Sequence, residues 1–178
     1  VAVAQPQAFL VTDTNNSAPY NLYALDLSSG SVTLQGSLGG NWSYYAPYSL
    51  VVKDSAGHFW APGIYFGVPE LSGWASFSGR EISQDVVPMT ALLFGDIRRT
   101  ASMDTIYFVC NTEAENVTQG QLYATYLNTN ITVAVGNPFM LSNVSTTISI
   151  GGAVVDRHLY GLGEVYPEIG PPYFFLTS

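Results

Sequence analysis

The sequence predicts an all-β fold of about four small antiparallel modules, arranged as two repeats of roughly 100 residues. Three observations predict it. Short runs rich in Val, Ile, Tyr, Phe, Trp and Thr are bounded by Gly, Pro, Asn and Ser, which is the pattern of strands and turns. The tripeptide Leu-Tyr-Ala occurs at 22–24 and again at 122–124. No stretch carries a 3.6-residue apolar stripe long enough for a helix. A chain of 178 residues, 47% hydrophobic, suits one domain over 1–178, with internal repeats at approximately 1–98 and 99–178.

The elements follow in order. Residues 9–14 (Phe-Leu-Val-Thr-Asp-Thr) read as a strand, a polar stretch follows, and Leu22-Tyr23-Ala24-Leu25-Asp26-Leu27 reads as a second. In it Tyr23, Leu25 and Leu27 alternate with Ala24 and Asp26 across the pleat. Ser28-Ser29-Gly30 supplies the positive φ of a tight hairpin leading to Ser31-Val32-Thr33-Leu34. The second repeat has Tyr107-Phe108-Val109-Cys110-Asn111-Thr112, then 122–127, a turn at Asn128-Thr129-Asn130, and Ile131-Thr132-Val133-Ala134-Val135. Further on, His58-Phe59-Trp60-Ala61-Pro62-Gly63 faces His158-Leu159-Tyr160-Gly161-Leu162-Gly163, with Val51-Val52 before the first and Val154-Val155 before the second. Residues 73–78 turn at Gly79-Arg80 into 81–86. Tyr173-Phe174-Phe175-Leu176-Thr177-Ser178 closes the last module without an outer strand, and Val1-Ala2-Val3-Ala4 is the candidate to supply it, in the same chain or by exchange into a neighbour.

Residues 21–32 (Asn-Leu-Tyr-Ala-Leu-Asp-Leu-Ser-Ser-Gly-Ser-Val) resemble the third and fourth strands of blades in quinoprotein-like β-propellers, which often carry Leu-Tyr-Ala-Leu-Asp, a short turn and Gly. The resemblance extends over 9–38 and, less closely, 106–136. It implies a β-propeller-like arrangement of four small blades, with a β-sandwich as the alternative, and by itself no activity.

Composition narrows the partners. The net charge is −8 with only five basic residues, which argues against nucleic acid and an anionic membrane surface. No apolar run approaches the ~20 residues of a membrane-spanning helix, so no membrane insertion is expected. Charged residues are 10%, well under the usual share of about 25%, so something other than charge must cover the surface. Cys110, the sole cysteine, sits in the apolar run 106–110 and reads as a small buried hydrophobe.

Five Asn-x-Ser/Thr sequons begin at Asn15, Asn41, Asn116, Asn130 and Asn143. Ten Asn in this composition would give about two by chance. Asn15 pairs with Asn116, and Asn41 with Asn143, at corresponding places in the repeat. A secreted, extracellular glycoprotein is the expectation, with covalent N-glycans supplying the solubility that charge does not.

The residues with chemical potential read as scaffold. His58 and His158 occupy the same place in the repeat and have no visible companion ligands, so neither metal nor cofactor is expected. The carboxylate pairs Glu113/Glu115 and Glu164/Glu168 lack any sign of a cleft between them, and Asp13, Asp26 and Asp54 suit turn caps. Trp60 and Trp74 read as core. The loop around Trp42, Tyr44, Tyr45 and Tyr48 is a candidate interface or sugar contact, since aromatic faces suit both. The resulting expectation is a non-enzymatic structural or interaction protein that self-associates by strand exchange into a filament or surface layer. A lectin-like carbohydrate-binding module is the alternative, and a glycoside hydrolase the second alternative.

Overall fold

A computed structural model describes residues 7–12, 20–38, 42–44, 51–65, 72–84, 92–114, 117–142, 147–155, 158–165 and 173–177. As the sequence predicts, the chain is all-β, and it forms four antiparallel sheets, none of them closed. Sheet I is β1 (Gln7–Thr12), β2 (Tyr20–Asp26) and β3 (Val32–Leu38). Sheet II holds β4 (Trp42–Tyr44), β5 (Val52–Lys53), β6 (Phe59–Tyr65), β7 (Ser72–Ser76) and β8 (Glu81–Gln84). Sheet III is β9 (Leu92–Arg99), β10 (Asp104–Ala114), β11 (Val117–Tyr126) and β12 (Ile131–Ser142). Sheet IV is β13 (Thr147–Val155), β14 (His158–Val165) and β15 (Tyr173–Thr177).

The Leu-Tyr-Ala hairpins of sheets I and III share one register. Tyr23 pairs with Leu34 and Ala24 with Thr33, while Tyr123 pairs with Ala134 and Ala124 with Val133. The turns match as well: Gly30 lies at φ 71° and Asn130 at φ 56°. Each donates its backbone N–H to the last residue of the preceding strand, Gly30 to the Asp26 carbonyl at 2.8 Å and Asn130 to that of Tyr126 at 3.0 Å. Gly and Asn are the residues that enter this left-handed region most readily. Asp26 caps its turn as expected, accepting the N–H groups of Ser28 and Ser29 and the Ser28 hydroxyl.

Two prolines show how strands accommodate a missing donor. Pro62 lies inside β6, yet on one edge β5 pairs with Phe59 and Trp60 while β4 pairs with 63–65, so Pro62 falls in the gap between them. Pro138 lies in β12 where the register with β11 jumps from Val135 to Phe139. In both places no paired strand asks for the absent N–H.

The sheets pack face to face in chain order. Phe59, Ala61, Ala75 and Phe77 of sheet II and the turn after β7 meet Tyr20, Leu22 and Leu38 of sheet I. The opposite face of sheet II puts Val52, Trp60, Trp74 and Ile82 against Ile97, Ile106, Phe108 and Cys110 of sheet III. Trp60 and Trp74 are buried core residues, as the sequence predicts, and Trp74 meets Phe108 edge-on at 5.4 Å. Cys110 is free and fully buried, and burial pushes its thiol pKa far up, which suits its reading as a hydrophobe. The far face of sheet III places Phe94, Val109 and Leu122 against Leu159 of sheet IV. The strands β5, β9 and β13, first or near-first in their sheets, contact one another in sequence, β5 with β9 and β9 with β13.

At the junction of sheets III and IV the Phe94 ring lies directly over Gly161, where an added Cβ would meet ring atoms at 2.3–2.5 Å. The corresponding residue of the first repeat, Ala61, carries a methyl group that packs in the core between sheets I and II. Gly161→Ala should therefore destabilise the protein by about 1–3 kcal/mol in urea denaturation. Phe94→Leu in the same background should recover part of that loss, because it withdraws the colliding ring edge.

Candidate functional site

Two of the longer outer strands are poor in polar protection. Among the described residues β12 ends sheet III and pairs on one side only, with β11. Its twelve residues contain no charged side chain. Ile131, Val133, Phe139 and Met140 are exposed, Met140 at 66%. β3, the corresponding edge of sheet I, exposes Val32 and Leu34 and is equally uncharged. β1, at the other edge of sheet I, exposes Phe9 and Leu10. Edge strands usually carry Lys or Glu that discourage further pairing, and here only the bulge at 136–138 interrupts the edge of β12.

Two of the five sequons, those of Asn130 and Asn143, flank β12 in sequence. Asn130 is exposed in the turn that starts β12, and Thr132 of the same sequon shares a 2.8 Å hydroxyl–hydroxyl hydrogen bond with Thr125 on β11. Asn143 directly follows Ser142, the last residue of β12, in sequence. Asn15, Asn41, Asn116 and Asn143 lie outside the described residues, as do Val1, Ala2, Val3 and Ala4, and Tyr45 and Tyr48. Of the aromatic loop, the structure places the backbone of Trp42 and Tyr44 in β4, opposite Tyr65 and Gly63.

The two histidines, equivalent in sequence, have different surroundings. Asp54 turns the chain between β5 and β6. Its Oδ1 accepts the His58 backbone N–H at 2.7 Å, and its Oδ2 accepts the indole N–H of Trp60 at 2.9 Å and lies 3.2 Å from His58 Nδ1. Burial works against the Asp54 charge, but the hydrogen bonds from Trp60 and His58 outweigh it and hold the carboxyl below its ordinary pKa. This turn also docks on sheet III, since the Ser55 N–H and hydroxyl both donate to Asp104 Oδ2, at 2.7 and 2.6 Å. Arg99 Nε donates to the Lys53 carbonyl at 2.6 Å, and Arg80 to the Leu127 carbonyl at 3.1 Å. His58 thus belongs to a structural joint. His158 instead stands beside Tyr160, ring centroids 6.0 Å apart, at a cleft between sheets III and IV that also takes in Arg98 and Tyr107.

Sequence reasoning passed over Arg98 and Tyr107. The available signal was the adjacent pair Arg98-Arg99 in a chain with five basic residues in all. Glu113 and Glu164 stand in different sheets, on β10 and β14, and Glu115 and Glu168 lie outside the described residues. Among the described residues no group of three or more His, Cys, Asp or Glu side chains is placed to hold a metal ion. Compared with known protein families, with curated proteins and with solved structures, the chain finds no match in any of the three.

The Asp54 joint gives a pH-dependent expectation. Its folded pKa is depressed, so its contribution is complete above the unfolded value near 3.8 and disappears as pH falls through the lower folded value. Asp54→Ala should cost about 2–3 kcal/mol at neutral pH, because it leaves the Trp60 indole N–H buried without an acceptor. The difference between Asp54→Ala and wild type, followed by urea denaturation, should narrow below about pH 4.

Proposed function

We propose that this chain is a secreted, N-glycosylated interaction protein that associates with copies of itself by strand addition, its sheets being the blades of a small propeller-like array. The observation that carries the reading is the uncharged, apolar outer edge of β12, which no other described strand pairs and which exposes Ile131, Val133, Phe139 and Met140. An edge of this kind is a template for another strand. The apolar edge strands β1 and β3 of sheet I make strand-for-strand addition between copies a natural mode of contact. Addition that joins unlike edges is heterologous and extends without closing, which is the geometry of a filament or layer.

The propeller-like element of the proposal draws on four meandering sheets stacked face to face in chain order and on the successive contacts of β5, β9 and β13. N-glycans at the sequons bordering β12 would confine pairing to the edge itself, since a glycan bulks the ends of the strand while leaving its middle open. No charge on β12 has to be desolvated when a second strand adds.

Sedimentation velocity over a wide concentration range tests the reading. The native protein should form species larger than a monomer, and Val133→Lys with Met140→Lys should weaken association by at least about tenfold while changing monomer stability by no more than about 0.5 kcal/mol. A protein that stays monomeric at every concentration sinks the assembly proposal. Intact mass before and after enzymatic removal of N-glycans tests the modification separately. Secreted material should lose mass on treatment, and Asn130→Gln should lack one glycan.

A further inference from the structure

The cleft between sheets III and IV is built by register. On β9 the residues Phe94, Asp96 and Arg98 stand opposite Val109, Tyr107 and Thr105 of β10, and Leu122 of β11 stands opposite Val109 and Val135. Directly opposed residues point to the same face, so Phe94, Asp96, Arg98, Tyr107, Leu122 and Val135 all face sheet IV. At one end the Phe94 ring is pressed on Gly161, and in the middle Asp96 Oδ2 accepts the Val154 backbone N–H at 2.8 Å. Past these two attachments the sheets leave a cleft of about 210 Å³. Its walls are aliphatic, Leu122 and Val135 from sheet III and Leu159 from sheet IV, and its polar groups are Arg98, Tyr107 and His158.

Arg98 is unlike the other cations among the described residues. Lys53 lies over the Phe59 ring, Arg80 donates to the Leu127 carbonyl and stacks on Trp60, and Arg99 donates to the Lys53 carbonyl. Among the described residues the Arg98 guanidinium makes no hydrogen bond and no ion pair, although it is half-buried. The nearby Asp96 shares its face but is engaged by two backbone N–H groups, those of Val154 and Ile97. In a chain of net charge −8, a half-buried guanidinium without a partner beside an aliphatic cleft is placed to meet an anion from outside.

We propose that this cleft is a binding site for a small carboxylate bearing one apolar ring or branched chain. The carboxylate takes the planar fork of Arg98, with the Tyr107 hydroxyl and the His158 imidazole at hand as further hydrogen-bonding groups. The apolar body lies between Leu122 and Val135 on one side and Leu159 on the other. A cavity of about 150 Å³ accepts a benzene ring, so this cleft has room for one ring and its carboxylate. The proposal is independent of strand addition, which uses the edge of β12 and not the face beneath it.

Calorimetric titration of the full chain tests it, with sodium phenylacetate as the probe and acetate, glucuronate, inorganic phosphate and 2-phenylethanol as comparisons. Phenylacetate should saturate one site with a Kd on the order of 1 mM. The four comparisons should each bind at least about tenfold more weakly, since each lacks the ring, the apolar body or the carboxylate. Arg98→Gln should lower phenylacetate affinity at least about tenfold. Val135→Phe, which fills the cleft from an edge strand, should lower it similarly, and it decides the matter if Arg98→Gln fails to fold. Absence of saturable phenylacetate binding overturns the proposal, as does undiminished binding in the folded variants. Phenylethanol matching phenylacetate removes the role of Arg98. Glucuronate or phosphate binding more tightly overturns the apolar carboxylate in favour of a sugar acid or a bare oxyanion.

Discussion

Adjacent residues of β6 and β7 are buried in opposite directions, and this double burial organises everything around it. Trp60 and Trp74 face sheet III while Ala61 and Ala75 face sheet I, so sheet II has no solvent face along its centre. Sheet III is in the same position, with Ile106 and Phe108 on one side and Val109 and Phe94 on the other. Strands covered on both faces must be apolar at nearly every position. The small share of charged residues follows from this, because much of the strand sequence has no solvent side on which to put them.

Three carboxylates among the described residues enter the stack bound to an adjoining element. Asp54 holds Trp60 and His58 in place, Asp104 receives both donors of Ser55 from sheet II, and Asp96 receives a backbone N–H from sheet IV. Hydrogen bonds to ionised groups are stronger than neutral ones, and they are directional where apolar packing is not. The aromatic and aliphatic faces press the sheets together, and Asp104 and Asp96 set how far sheet III may slide over its two neighbours.

The hairpins at Leu-Tyr-Ala were legible in the sequence from their turn residues and spacing, but the alternation of Tyr23, Leu25 and Leu27 did not mark the buried face, which in β2 is Tyr20, Leu22 and Ala24 while Leu27 is exposed. β9 was not legible. Its run Leu-Leu-Phe-Gly-Asp-Ile-Arg-Arg breaks apolar alternation with Gly95, Asp96, Arg98 and Arg99, and for three of these the reason lies on another strand. Gly95 admits the close approach of Phe108, Asp96 reaches Val154, and Arg99 reaches Lys53. The length of β12 was equally hidden, since Gly136 and Pro138 read as a stop where the strand in fact bulges and resumes. The two histidines looked alike because sequence equivalence carries the backbone position but not the facing sheet. His58 meets its own turn, whereas His158 meets the open wedge left by Arg98 and Tyr107. That wedge depends on residues from all four strands of sheet III, a convergence that no local window contains.

The turn at Asn130 has a consequence for how such a chain can change. Its backbone conformation admits Gly and Asn with little strain, and Gly30 and Asn130 divide those two options between equivalent turns. Asn is also the residue that begins a sequon, and the strand that follows prefers Thr, whose hydroxyl here meets Thr125 across the ladder. A conformational requirement and an acceptor motif therefore coincide at one position. In a hairpin of this kind a single exchange of Gly for Asn, ahead of a strand that already carries the hydroxyl, can create an attachment point without moving the backbone. The presence of a sequon can vary turn by turn in this architecture while the stacked sheets beneath stay as they are.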